Sequence, residues 1–222
     1  MARFSLEKKT EKKSKPVDFY AKYKSKEKAF VYYNGSEEVP IEMPFKFAVI
    51  NQYATVTGYN QKNSCGVFSN EVRNTKRETL TVRTWKPEGN IIAEGFWNEI
   101  KPTVVAQGGA YTRSIYAVLE DGTPVNLQVA KSASQEWSSF CKEFGGGYDN
   151  PNFDTNWVEM TGAENRKNGS IEYSVPQFSF GKKITAKQDE LIQPHVKNIG
   201  EYMEAYFSIV KEPETTEQEI DF

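Results

Sequence analysis

The sequence predicts a mainly β protein: a five-stranded barrel with added strands, one inserted helix, a C-terminal helix and a disordered acidic tail. Short segments in which apolar and polar residues alternate follow one another along the chain, and turn dipeptides such as Asn34-Gly35 and Asp121-Gly122 separate them. Aromatic residues, which favour strands, make up 14% of the chain. Helical periodicity marks two later segments. We therefore expect one β-rich domain over residues 29–210.

The strands are predicted from alternation and from turn signals. Residues 45–57 form the longest strand, as the first strand of an OB barrel tends to be, so the predicted barrel is OB-like. Within residues 79–85, Leu80 and Val82 face the core, whereas Arg83 and Trp85 face solvent. The predicted strands, in chain order, cover residues 29–33, 45–57, 79–85, 90–97, 111–120, 124–130, 170–175 and 177–180. The polar segment 59–78 is predicted as a loop or a loose hairpin, and the segment 148–168 is predicted as a loop.

Two helices are predicted from apolar residues that recur at helical spacing. The inserted helix contains Trp137, Phe140 and Phe144, and a run of three glycines ends it. A capping box at residues 185–188 precedes the C-terminal helix, which we expect to begin at Pro194. Its apolar stripe predicts that it packs on the sheet.

Charge is distributed unevenly along the chain, although the net charge is only −2. Residues 1–28 carry ten basic and four acidic side chains, and we predict that they form a flexible basic arm. Residues 211–222 form an acidic C-terminal tail, in which five of the 30 acidic residues lie. Without those five, the chain has 28 basic and 25 acidic residues, so a positive body carries a negative end.

Composition argues against several functional classes. His195 is the only histidine, which excludes a histidine-based zinc site, and no P-loop, nucleophile-elbow or zinc-protease motif occurs. We therefore predict no catalytic residue, no cofactor and no metal ligand. Cys65 and Cys141 form no CxxC pair, which fits a reducing compartment. No apolar run approaches the roughly 20 residues of a membrane-spanning helix, and we recognise no signal peptide, so a cytoplasmic protein without a membrane partner is expected.

The tail is predicted to bind a protein partner. Its last residue is aromatic and follows several acids, which suits a pocket with an apolar floor and Lys or Arg walls. The same charges would also fit the protein's own basic groove and compete there with nucleic acid. The predicted partner-binding residues are Glu217, Glu219, Ile220, Asp221 and Phe222.

Basic and aromatic residues that alternate on predicted strands indicate a nucleic-acid surface. Exposed rings stack on unpaired bases, and neighbouring cations neutralise phosphates. Arg83 and Trp85 share one face of their strand, and Tyr111 and Arg113 share a face of another. The predicted nucleic-acid-binding residues are Tyr53, Lys62, Arg73, Lys76, Arg77, Arg83, Trp85, Trp97, Tyr111 and Arg113, whereas Phe45, Phe47, Trp137 and Phe140 are assigned to the core.

The chain resembles the phage and bacterial single-stranded-DNA-binding proteins, which combine an OB-fold with an acidic, disordered C-terminus whose last residues include Phe. Residues 217–222 carry this resemblance. The T7-like phage members end on an acidic residue followed by Phe, as Asp221-Phe222 does, whereas bacterial members end on Pro-Phe. The resemblance implies coating of exposed template during DNA replication, recombination and repair. It also implies recruitment of polymerase, primase or helicase through the tail, in the host-cell cytoplasm if a phage encodes the chain.

We therefore predict sequence-independent binding of single-stranded DNA without catalysis. Two alternatives stay open from the sequence. One is a structural or assembly protein of a virion, which would use the tail for assembly. The other is a strand-annealing recombination protein, which would bind DNA and also speed the pairing of complementary strands. Homo-oligomerisation is compatible with all three.

Overall fold

A computed structural model describes residues 15–85, 89–143 and 147–210. Within these residues the protein is mainly β, with a large sheet and a long C-terminal helix. The strands are β1 (Phe19–Lys24), β2 (Ala29–Asn34), β3 (Glu37–Pro40), β4 (Phe45–Asn60), β5 (Cys65–Ser69), β6 (Leu80–Thr84), β7 (Ile91–Gly95), β8 (Gly109–Leu119), β9 (Pro124–Ala130), β10 (Asn156–Asn168) and β11 (Ile171–Lys183). The α-helices are α1 (Trp97–Ala106), α2 (Ser132–Glu143), α3 (Asn152–Thr155) and α4 (Ala186–Val210), and Gly147–Asp149 forms a 3₁₀ turn.

All described strands belong to one sheet. Its main path runs β3-β2-β1-β9-β8-β4-β5-β6-β7, and β10 joins β4 to β11 at the side of this path. The pair β1–β9 is parallel, whereas the other strand pairs are antiparallel. The path ends at β3 and at β7, so the sheet is open. The predicted five-stranded barrel is not confirmed by this pairing.

The long strand β4 pairs with different partners on its two edges. One edge pairs with β8 from Phe47 to Gly58. The other edge pairs with β10 from Phe45 to Phe47 and with β5 from Thr57 to Asn60. Between these two ends, this edge of β4 forms one isolated β-bridge within the described residues, from Ala54 to Val72. The sheet therefore has a gap along this edge, at residues 48–53.

The inner face of the sheet, defined here as the face of β4 that carries Gln52 and Ala54, holds two apolar clusters. Trp137 of α2 is fully buried in the first cluster, and its indole Nε1 donates to Gln52 Oε1 at 2.8 Å. In the second cluster Ile100 and Val104 of α1 pack against β4, β5 and β6. Two helices thus cover the inner face on either side of the gap.

The outer face carries the alternate residues of β4, among them Tyr53 and Tyr59. Helix α4 covers one end of this face, where its residues Ile199, Met203 and Phe207 form one apolar cluster with Tyr53 and Tyr116. The other end, around Tyr59, is exposed to solvent. Because the apolar stripe of α4 packs on one end of the outer face, only the other end is accessible to a ligand.

A close backbone approach fixes the exposed end of β4. Gly58 lies against Gly108, and a Cβ at Gly58 would overlap the Gly108 carbonyl oxygen. Gly108 has φ +82, in the region that favours glycine, and its carbonyl accepts a hydrogen bond from the Tyr59 N–H at 3.2 Å. The backbone at Tyr59 is consequently held against the start of β8.

Two strand predictions need correction. The predicted flexible arm, residues 1–28, contains β1, in which Ala21 is fully buried and Phe19 stacks on Tyr32 at 4.0 Å. The outward lysines of this strand obscured its alternation. The predicted loop 148–168 contains β10, which forms a two-stranded ribbon with β11. Most residues of β10 beyond Met160 are not buried, and this explains the polar sequence from which a loop is predicted.

Two helix predictions also need correction. Helix α1 lies in a segment where no helix was predicted, because Pro102 and several polar residues interrupt its pattern. Helix α4 begins at Ala186, so Pro194 lies inside it rather than at its start. The predicted capping box is confirmed: the Thr185 N–H donates to Gln188 Oε1 at 3.0 Å, and the Gln188 N–H donates to Thr185 Oγ1 at 3.4 Å. No helix in the described part of the chain combines the length and apolar character that crossing a lipid bilayer requires.

Candidate nucleic-acid interface

Exposed aromatic rings and one arginine lie together on the outer face of β4, β5 and β6. Trp85 is 69% exposed and Tyr59 is 55% exposed. Phe68 packs edge-on against Trp85, with ring centroids 5.6 Å apart, and Arg83 is directly opposite Phe68 in the register of β5 and β6. We call these four residues, Tyr59, Phe68, Arg83 and Trp85, the aromatic platform.

The backbone register explains why these side chains share one surface. Tyr59 pairs with Gly66 of β5, and the Trp85 N–H donates to the Gly66 carbonyl at 2.8 Å. Gly66 therefore stands between the two most exposed rings of the platform and has no side chain to fill the space there. Residues 80, 82 and 84 of β6 are buried, so Arg83 and Trp85 project to the opposite side.

Large exposed rings beside a cation indicate a binding surface. Rings of this size are usually buried, and a group of them at the surface marks a site of interaction. The Arg83 guanidinium is partly held in place, since its Nη1 donates to the Gly89 carbonyl at 3.2 Å. Flat rings with an adjacent arginine suit planar, negatively charged ligands such as single-stranded nucleic acid.

A second depression lies at the gap in the β4 edge, and we call it the edge cleft. It consists of two adjoining cavities of about 540 and 300 Å³, and both are lined by Arg73 and Arg113. Lys76 and Tyr111 line the smaller cavity. Because Tyr53 lines the larger cavity, the structure brings five predicted nucleic-acid-binding residues together around the cleft.

The inner part of the edge cleft is built by β8 and α1. Arg113 is only 6% exposed, and its Nη2 donates to the Tyr111 hydroxyl at 2.7 Å. The Tyr111 ring packs against Trp97, the first residue of α1, with centroids 5.6 Å apart. Trp97 therefore supports the cleft from behind. Arg113, predicted on an open groove, is a buried cation in the wall of this cleft.

The outer part of the edge cleft is formed by the segment after β5. The Arg73 side chain is exposed, and its guanidinium lies over the Phe207 ring at 3.9 Å from the centroid. Such a cation–π contact orients the guanidinium while leaving its edge open to a ligand. Lys76 is exposed in the turn that follows. Cations on both sides make the cleft attractive to groups that accept hydrogen bonds.

Tyr53 is not an exposed stacking ring, contrary to the prediction. It is 5% exposed and packs against Tyr116 and Phe207, with centroids 5.8 and 5.3 Å away. Burial raises the pKa of its hydroxyl to about 12. The reason is α4, which covers this part of the outer face, so Tyr53 reaches the edge cleft only as part of its wall.

Two further predicted residues belong neither to the four platform residues nor to the lining of the edge cleft. Lys62 is exposed in the turn between β4 and β5, and Arg77 is exposed in the turn that precedes β6. Neither lines the edge cleft. The ten predicted residues therefore do not form one groove, but divide among the platform, the cleft with its supporting rings, and two turns.

Sequence reasoning missed several residues of these surfaces. Tyr59 continues the alternation Tyr53, Thr55, Thr57, so its position on the outer face was readable from the pattern. Phe68 lies in the segment predicted as a loop or a loose hairpin, and no strand face is assigned there. Asn150, which lines the cleft, follows the 3₁₀ turn and carries no local signal of its position.

Glu71 links the outer face to α4. Its carboxylate accepts hydrogen bonds from the hydroxyls of Ser114 and Tyr116, and its backbone N–H donates to the Tyr206 hydroxyl at 2.8 Å. Burial raises the pKa of the Glu71 carboxyl above its ordinary value of 4.5, although the hydrogen bonds from Ser114 and Tyr116 oppose this.

The raised pKa predicts how stability depends on pH. The folded protein binds the Glu71 proton more tightly than the unfolded chain, so this contribution is fully present below pH 4.5 and is lost as pH rises through the raised value. Glu71→Gln should flatten this part of the profile. Urea unfolding of both proteins at a series of pH values measures the effect, and identical profiles would contradict it.

Some predicted features lie outside the described residues. These are most of the basic arm, Phe144, and the tail residues Glu217, Glu219, Ile220, Asp221 and Phe222. Among the residues that the structure does describe, no group of three or more His, Cys, Asp and Glu side chains is arranged to hold a metal ion. Both cysteines are unpaired and buried.

Comparisons with protein-family models, with curated proteins and with solved structures give no match. The aromatic platform and the edge cleft are therefore the features from which a function is inferred.

Proposed function

We propose that the protein binds single-stranded DNA, independently of sequence and without catalysis, in phage-type DNA replication and recombination. The observation that carries this proposal is the aromatic platform, where Trp85 and Tyr59 are exposed beside Arg83. Every base offers a flat face to such rings, so stacking tolerates any sequence. In a duplex those faces are hidden, and the platform would favour unpaired strands.

Cations around the platform would neutralise the DNA backbone. Arg83 lies within it, Lys62 is exposed at the β4–β5 turn next to Tyr59, and Arg73 and Lys76 line the edge cleft. Phosphate contacts supply affinity that depends on salt but not on sequence. The proposed strand runs across the platform and reaches the cleft.

The proposal includes an OB-like architecture for the sheet. Supporting features are the length of β4, the irregular register between Val49 and Asn51 that bends it, and its pairing with different strands at its two ends. OB-folds bind oligonucleotides on the outer surface of a strongly bent sheet. The open path from β3 to β7 would be an elaboration of that plan.

Recruitment of replication proteins is the remaining part of the proposal. The acidic residues and terminal Phe222 of the tail would enter a basic pocket with an apolar floor on a polymerase, primase or helicase. The tail follows α4, which packs on the sheet, so the partner would be held close to the bound strand.

Fluorescence anisotropy of labelled oligo-dT and of a duplex of equal length, each at two salt concentrations, tests the proposal. We expect oligo-dT to bind more tightly than duplex. Its affinity should fall steeply with salt, with a slope of about 0.7 per neutralised phosphate on logarithmic axes. Equal affinity for duplex and single strand, or binding that does not respond to salt, would contradict the proposal.

The same material separates the two alternatives. A structural or assembly protein of a virion would leave oligo-dT unbound and would form large oligomers on size-exclusion chromatography. A strand-annealing protein would bind oligo-dT and would also accelerate the pairing of two complementary labelled strands. A single-stranded-DNA-binding protein of the proposed kind binds without that acceleration.

A further inference from the structure

We propose that the edge cleft holds one guanine base of the bound strand, so that otherwise sequence-independent binding carries a preference for guanine at one position. The inference rests on the proposed function and assigns a base to the second surface of the same site. It starts from the side chains that line the larger cavity of the cleft.

Asn150 indicates that this cavity takes a ligand. The residue is 2% exposed, and its Oδ1 accepts the Asn152 N–H at 2.9 Å, which fixes the orientation of the amide. Its Nδ2 is buried, and among the described residues no acceptor lies within hydrogen-bonding distance of it. A buried donor without a partner is costly in a folded protein and calls for an external acceptor.

The walls of the cavity carry both donors and acceptors. Arg73 and Asn150 present N–H donors, whereas Asp149 and Asp154 present carboxylates. A phosphate carries only acceptors at neutral pH, so it offers no donor to the two carboxylates, and these carboxylates offset the charges of Arg73 and Arg113 in the same cavity. The cavity therefore suits a planar group that has acceptors on one edge and donors on another.

Guanine has this pattern. Its O6 and N7 accept hydrogen bonds, and arginine is the side chain that most often reads this pair. Its N1–H and N2 amino group donate, and carboxylates accept from them. The volume of about 540 Å³ lies within the range of about 300–1,000 Å³ that ligand sites commonly have. We assign O6 and N7 to Arg73 and Asn150, and the donor edge to Asp149 and Asp154.

The location of the cavity explains how a base would enter it. The cavity opens at the gap in the β4 edge, next to the smaller cavity that Lys76 lines. A strand whose phosphates pass Lys76 could turn one base into the gap. The buried residue Phe153 lines the cavity and adds an apolar surface to it.

The test compares short oligo-dT strands that carry a single central substitution. We expect one guanine to tighten binding by about 5- to 150-fold over thymine, the range of a good paired contact to a base edge. Adenine, which lacks O6 and the N1–H donor, should give no such gain. 7-Deazaguanine, which lacks the N7 acceptor, should lose much of it.

Variants assign the effect to the cleft. Asp149→Asn combined with Asp154→Asn should abolish the guanine preference while oligo-dT still binds. Asp121→Asn, in the β8–β9 turn, is the matched control and should keep the preference. Equal gains from guanine and adenine, or a preference that survives the double substitution, would overturn the inference. If the wild-type protein did not bind oligo-dT at all, the proposed function itself would be overturned.

Discussion

Replacement of Trp85 by alanine is expected to weaken oligo-dT binding by about 5- to 150-fold. The ring is 69% exposed and contributes the largest accessible aromatic surface of the platform. Loss of one base-stacking ring costs about 1–3 kcal/mol of binding free energy, which corresponds to that range. Anisotropy of labelled oligo-dT at fixed salt measures the change. The salt slope should stay nearly constant, because no phosphate contact is removed.

A matched control is available for this variant. Tyr33 is 64% exposed on β2, near the opposite end of the sheet path. Tyr33→Ala removes a similar exposed ring outside the platform and should leave oligo-dT affinity unchanged. Both substitutions lie at the surface, so the free energy of unfolding should move by no more than about 0.5 kcal/mol. Equal losses of affinity in the two variants would contradict a specific role for the platform.

Replacement of Trp137 by alanine is expected to cause a large loss of stability, in contrast to replacement of Trp85, which should affect mainly DNA affinity. The indole is fully buried in the inner-face cluster, its centroid lies 5.0 Å from that of Phe178 and 5.4 Å from that of Phe140, and its Nε1 donates to Gln52. Truncation leaves a cavity and removes the hydrogen bond that the Trp137 indole donates to Gln52. The expected cost is about 3–5 kcal/mol of unfolding free energy.

Urea unfolding of Trp137→Ala beside the wild type measures that cost. Trp137→Phe is the control that keeps most of the ring and loses the hydrogen bond to Gln52, so its loss should be clearly smaller. A loss for the alanine variant within about 0.5 kcal/mol, as for a surface change, would contradict the central position of Trp137 in the core.

Alternation in the sequence was enough to predict the most exposed part of the site. In residues 79–85 the period of two places Leu80 and Val82 on the buried side and Arg83 and Trp85 on the exposed side, and the structure has this arrangement. The prediction succeeds because the two faces of a strand have different surroundings, and a local pattern records that difference. The helix around Trp137 was predicted for the same reason.

The same alternation did not reveal which outer-face residues α4 covers. Tyr53 and Tyr59 occupy equivalent positions on β4, yet one is buried and the other exposed. The difference comes from the packing of Phe207, which is more than 140 residues away in the chain. No local pattern carries that information.

The edge cleft depends even more on contacts between distant segments. Arg73 follows β5, Arg113 belongs to β8, and Asn150 lies in the connection between α2 and α3. They meet because β4 changes partners along one edge. The sequence signalled the basic residues as candidates, but their assembly around a gap in the sheet, and the participation of Asn150, follow only from the folded arrangement.

Tryptophan fluorescence during titration with oligo-dT tests most directly whether exposed rings stack on unpaired bases. Of the four tryptophans, Trp85 is exposed, whereas Trp137 and Trp157 are buried and Trp97 is partly buried. The wild-type protein should show saturable quenching with oligo-dT, and Trp85→Phe should lose most of it while it still binds the strand. Quenching of equal size in Trp85→Phe, or no quenching in the wild type at saturating oligo-dT, would contradict the account.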